Sequence, residues 1–221
     1  MWRRHLSAGA AVAVWALVIA GPAAAVVATV TSPFDPNALP SCPGSAALPC
    51  TVISRTTAYQ VQVGTSYQPM RITTAGRVVG WQITLSSPTS TETHYFDTNE
   101  GGPAEAAIAV LHPVKGLSYR LDAITPVVHL EPYFGQTVTF ALTTSIPVVP
   151  GDVIGLSVPT WAPALELKAG RRTAWRASRT KSECTNVVAT TVQSSPGSVA
   201  QYACIYQTAL VHFGAIEIST P

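Results

Sequence analysis

Period-two alternation broken by turn residues is the strongest constraint on this chain. Val79, Trp81, Ile83 and Leu85 alternate with Gly80, Gln82 and Thr84, a pattern that buries one face of a strand and wets the other. Segments of strand length, rich in β-branched and aromatic residues, occupy 58–63, 77–85, 106–112, 117–124, 136–142, 152–158 and 204–212. Ser87-Pro88, Gly101-Gly102-Pro103, residues 113–116, Pro126, residues 132–135 and Pro150-Gly151 separate them, which is turn chemistry at the spacing of a sandwich. The eighteen prolines suit strand edges and corners, not central strands. Helical periodicity is missing outside the N terminus, except that Pro103 and the alanines of 104–109 allow one helical turn. The expectation is an all-β, two-sheet antiparallel β-sandwich, jelly-roll-like, over residues 51–221.

Residues 1–25 read as a signal peptide. Arg3 and Arg4 precede an apolar run from Ala8 to Ala20, Gly21-Pro22 ends it, and Ala23-Ala24-Ala25 offers a small-x-small cleavage pattern, with a second up to residue 28. The paired arginines leave both general and twin-arginine export open. The apolar run is shorter than the roughly 20 residues that span a bilayer, so no permanent membrane anchor is expected. Leu39-Pro40-Ser41-Cys42 superficially reads as a lipidation box but stands too far from the apolar run. Pro33, Pro36, Pro40, Pro43 and Pro49 make 29–50 an irregular Pro-rich arm.

Export places Cys42, Cys50, Cys184 and Cys204 in an oxidising setting, where an even count reads as two disulfides. Of three pairings, Cys42–Cys50 and Cys184–Cys204 close the shortest loops. No CxxC pair and no suitably spaced His supports zinc. Without Arg3 and Arg4 the thirteen Lys and Arg fall to eleven, equal to the eleven Asp and Glu, which disfavours a nucleic-acid partner. Only 11% of the chain is charged, so Thr, Ser, Gln and the backbone must carry its solubility.

The run Val148-Val149-Pro150-Gly151-Asp152-Val153-Ile154-Gly155-Leu156, with Gly80-Trp81-Gln82-Ile83 upstream, resembles secreted bacterial jelly-roll proteins of uncharacterised role. The resemblance spans 76–159 and implies architecture, not activity: a Pro-Gly-Asp turn leading into a late core strand.

GxSxG, HExxH, Walker A and GxGxxG are all missing, which argues against α/β-hydrolase, zincin, P-loop and dinucleotide chemistry. Glu92, His94, Asp97, Asn99, Glu100 and Glu105 surround Gly101-Gly102. Oxygen ligands beside a glycine turn suit calcium, with Asp97, Asn99 and Glu100 as ligands, although position twelve from Asp97 is Ile108 and not an acid; the alternative is a polar solvated loop. His112, His129 and His212 read as strand histidines satisfied by neighbours, and Trp81 as a core aromatic.

Trp161 stands between Pro159 and Pro163, outside any expected strand, as a sugar-stacking platform or an end cap. Lys168, Arg171, Arg172, Arg176, Arg179 and Lys181 put six positive charges into fourteen residues around Trp175. Such a strip attracts anions, and Trp161, Arg171, Arg172, Trp175 and Arg176 are the candidate ligand contacts; the alternative is a solvated edge protected by charge. The leading reading is a secreted, non-catalytic binding or surface-associated module for an extracellular glycan or anionic wall polymer, needing no cofactor unless calcium. The alternatives are a carbohydrate-active hydrolase or lyase using carboxylates of 92–105, and a structural envelope protein.

Overall fold

Six of the seven strand-length segments each overlap a single strand, because the turn residues between them let the chain reverse and pair with itself. The computed structural model describes residues 25–31, 40–42, 50–185 and 189–219. The rest of the expected leader, and Pro33, Pro36, Pro43 and Pro49 of the expected arm, lie outside these residues.

The strands are β1 (Val26–Thr31), β2 (Ile53–Val63), β3 (Ser66–Tyr67), β4 (Gly76–Thr84), β5 (Glu105–Lys115), β6 (Ser118–Ile124), β7 (Val128–His129) and β8 (Thr137–Val148). They continue with β9 (Val153–Ala162), β10 (Leu165–Leu167), β11 (Thr173–Ala177), β12 (Val199–Gln201), β13 (Cys204–Gln207), β14 (Ala209–Val211) and β15 (Phe213–Ser219). One helix, α1 (Ser90–Asn99), sits between β4 and β5.

The larger sheet runs β12-β6-β5-β9-β2-β11-β13, with β3 beside β2 and β7 beside β5; the smaller runs β1-β15-β4-β8, and β10 pairs with β14. All pairings are antiparallel. Trp81 and Ile83 of β4 and Phe213 and Ala215 of β15 join Ile108 and Val110 of β5 and Leu156 and Val158 of β9 in one buried cluster. The fold is all-β and sandwich-like, as expected. On β8, an edge strand, Val138, Phe140 and Leu142 turn inward while Thr137, Thr139 and Ala141 are exposed, and the edge position accommodates Pro147.

Several expectations need correction. Residues 29–31, assigned to the irregular arm, belong to β1, which pairs with β15 from Val26↔Ser219 to Thr31↔Gly214. A register shift between Val78 and Gly80 makes Val78 the core residue and leaves Val79 half-buried, because a bulge inverts the side-chain alternation. Residues 104–109 form no helical turn; Glu105 onwards is β5. The segment 204–212 is two strands, parted at Thr208, whose φ is 59°.

Residues 90–99, read as a solvated loop, form α1. Thr89 Oγ1 accepts from Glu92 N at 3.3 Å, and Glu92 Oε2 accepts from Thr89 N at 2.7 Å, a capping box that satisfies two end donors reciprocally. Both favoured disulfides are present, Cys42–Cys50 and Cys184–Cys204. Among the described residues no helix is long and apolar enough to cross a membrane.

Candidate functional site

Strand β11 carries the middle of the basic cluster into the large sheet, between β2 and β13. Successive strand side chains point to opposite faces, so Trp175 and Arg176 reach two different clefts.

Arg176 stands opposite Tyr59 in the ladder and lines an open cleft of about 290 Å³ with Tyr59, Tyr119, Gln68 and Arg71. Its Nη1 donates to Tyr202 O at 2.8 Å and to Ala203 O at 3.1 Å, which fixes the guanidinium. Arg71, exposed, donates from Nη1 to Gln68 Oε1 at 3.1 Å. The rings of Tyr59, Tyr119 and Tyr202 meet at centroid distances of 5.2 to 5.3 Å, and Tyr59 Oη donates to Tyr119 Oη at 3.1 Å. Burial, reinforced by that hydrogen bond, pushes the Tyr59 phenol well above its ordinary range. Among the described residues lining this cleft there is no Asp or Glu.

Trp175 lines the second cleft, also about 290 Å³, with Tyr206, Ile53, Leu165 and Arg179. Its ring stacks on Tyr206 at 4.5 Å and 24°. Sequence reasoning placed Arg179 in the basic cluster without a site role, yet it is buried and reaches this cleft. The exposed Arg171 and Arg172 precede β11 and line neither cleft.

Trp161 is corrected outright. It lies in β9 and is 0% exposed, packed on Phe96 and Phe134 at 5.0 and 5.7 Å, so it cannot stack on a surface sugar. Pro159 misled because proline disfavours a central strand. Here the β9–β2 ladder skips from Trp161↔Ser54 to Val158↔Thr56, past Arg55 at φ 49°, and the β5 pairing has ended at Ser157. Proline's missing donor therefore removes no ladder bond at that position.

The three residues expected to hold calcium each have another partner. Asp97 Oδ1 accepts from Trp161 Nε1, Asn99 Nδ2 donates to Tyr95 O at 2.7 Å, and Glu100 pairs with Arg55 at 3.0 Å. A different group, His112, Asp122 and Asp152, brings its ligand atoms within 4.8 Å of one another. Its spread over two strands and the turn before β9 gave no local signal in the sequence. Each member is already engaged: His112 Nδ1 lies 2.8 Å from Asp152 Oδ1, Asp152 Oδ2 accepts from Val149 N at 2.9 Å, and Arg120 clasps Asp122. The His112–Asp152 bond ties β5 to the Pro150-Gly151 turn, where Gly151 adopts φ +103°, and His112 Nδ1 lies 3.9 Å from Asp122 Oδ2 of β6.

Fold and site together define an all-β, sandwich-like protein with two disulfides and two clefts on either side of one strand. No family model matches the chain, and no curated protein or solved structure matches it.

Proposed function

We propose that this chain is an exported, non-catalytic, surface-associated binding module that holds an acidic glycan or anionic wall-polymer segment in the cleft between Arg71 and Arg176. The observation that carries this reading is the cleft's composition: two guanidinium groups, Gln68 and a tyrosine wall, with no acidic side chain among the described residues of the lining. Guanidinium recognises carboxylate and phosphate oxygens in a planar, bidentate manner, and tyrosine offers an amphipathic face to a sugar ring. The two disulfides are compatible with an oxidising compartment.

A glycosidase would need two carboxyl groups facing each other at roughly 5 to 10 Å across a cleft. The acids of 92–105 serve separate partners instead: Glu92 the helix cap, Asp97 the Trp161 indole, Glu100 Arg55 and Glu105 His129. A lyase base on Tyr59 would need a lowered pKa, whereas burial raises it.

The test is a glycan-binding measurement on the purified mature domain at two salt concentrations. Acid-bearing polymers are expected to bind and neutral ones not, with affinity falling as salt screens the arginines, and Arg71→Gln is expected to weaken binding about tenfold. Equal binding of neutral glycans, or an unchanged Arg71→Gln variant, removes the reading.

A further inference from the structure

The second cleft holds a chemical mismatch that the first does not. Trp175 and Arg179 are 5% and 4% exposed, and both Trp175 Nε1 and Arg179 Nε are buried donors with no hydrogen-bond partner. Arg179 uses its other nitrogens, Nη1 donating to Tyr206 Oη at 2.9 Å and Nη2 to Ser54 O at 3.4 Å. Both of those acceptors are neutral. Among the described residues no carboxylate lies within ion-pair distance of this guanidinium. Glu183 feels the charge of Arg179 but forms no ion pair with it; a desolvated cation without a contacting counter-charge and two unmatched N–H groups are each unfavourable in a folded interior.

The surroundings are of the opposite character. The stacked Trp175 and Tyr206 rings form one wall, and Ile53, Leu165 and Ala209 supply an apolar lining. Tyr206 is anchored by its Oη donating to Cys184 O at 3.1 Å, next to the Cys184–Cys204 disulfide, so the aromatic wall is pre-positioned. At about 290 Å³ the cleft is at the small end of ligand pockets, which start near roughly 300 Å³.

From this pairing of orphan donors with an apolar cleft, we propose a second binding site, separate from the anionic-polymer cleft, for a small amphiphilic carboxylate. The apolar or aromatic body lies against Trp175, Tyr206 and Leu165, and the carboxylate accepts from Trp175 Nε1 and Arg179 Nε. Acceptor oxygens resolve the mismatch, and a planar anion offers two of them. The polymer-binding face carries Arg176 on the other side of β11, so the two sites do not share a guanidinium.

Isothermal titration calorimetry on the full mature chain tests this, with decanoate and indole-3-acetate as probes, their uncharged amides, and inorganic phosphate. At least one acid is expected to bind with a Kd below about 1 mM, with its amide and phosphate at least about tenfold weaker, as for loss of a charged hydrogen bond. Trp175→Phe keeps an aromatic face and deletes the donor; it should weaken acid binding about tenfold, while Arg171→Gln, outside the cleft, leaves it unchanged. Arg179→Lys keeps the charge and is checked for folding by its melting curve. The proposal is overturned if neither acid binds, if acid and amide bind alike, if phosphate alone binds as well as the acids, or if Trp175→Phe has no effect.

Discussion

The indole Nε1 of Trp161 donates to Asp97 Oδ1 at 3.0 Å and to Gly102 O at 3.1 Å. One side chain offered as a sugar platform and another offered as a calcium ligand thus satisfy each other. Their bond pins the C-terminal half of α1 to strand β9, and Phe96 packs at a tilt against the Trp161 ring.

Trp161→Ala is accordingly a stability mutation. Removing a fully buried tryptophan is expected to cost about 3 to 5 kcal/mol, read as a lower denaturant midpoint. Asp97→Ala should cost only about 1 kcal/mol, because Gly102 O remains to accept the indole proton. If Trp161→Ala folded with unchanged stability, the packing role would be wrong.

Calcium should leave the protein unchanged. Asn99 bonds Tyr95 O, Glu100 pairs with Arg55 and Asp97 Oδ1 accepts from Trp161, so each of the three expected ligands already has a protein partner that calcium would have to displace. Saturating calcium at a real site, at about 100 times its Kd, would add about 2.7 kcal/mol. Melting curves with millimolar calcium and with a chelator are expected to superimpose, and a clear upward shift with calcium would restore a metal role.

Strand positions were legible because alternation and turn residues are local signals, and β2, β4, β5, β6, β8 and β9 overlap the segments read from them. What escaped was set by context. The Thr89-x-x-Glu92 box was a readable start signal for α1, but the helix buries only Phe96, so no apolar stripe announced it. Trp161 looked like a loop residue because the bulge at Arg55 that tolerates Pro159 lies a hundred residues away. The basic cluster was visible as charge, yet only the pleat of β11 separates Trp175 from Arg176. Arg179 is buried through Tyr206 and Ser54, partners no spacing rule connects.

Two buried groups give opposing pH responses. Burial raises the Glu217 carboxyl above its ordinary range, so the folded state binds this proton more tightly than the unfolded chain. The associated stability is complete below the ordinary carboxylate range and is lost as pH rises through the raised value. Burial, opposed by Glu166, lowers His212, so its contribution is complete above the ordinary imidazole range and is lost as pH falls below about 6.5. Glu217→Gln should therefore stabilise the protein at neutral pH, by about 1 kcal/mol, and converge with the parent in acid. Identical melting profiles for the two proteins from pH 4 to 8 would contradict this.

Strand β1 bears on where the expected leader is cut. Val26 N donates to Ser219 Oγ at 3.3 Å, and Ser219 Oγ donates to Val26 O at 3.2 Å, so the first strand residue is the one that follows Ala25. Cleavage after Ala25 keeps all six pairs between β1 and β15, whereas cleavage after Ala28 keeps only Thr29↔Ile216, Val30↔Ala215 and Thr31↔Gly214. If the proposed leader is removed on export, the mature chain is expected to begin at Val26, checked by intact mass. A version beginning at Thr29 should unfold about 1 to 2 kcal/mol more easily, since each lost cross-strand pair contributes a few tenths to about 1 kcal/mol. A mature mass starting at Thr29 with undiminished stability would mean that β1 contributes nothing beyond the three pairs it retains.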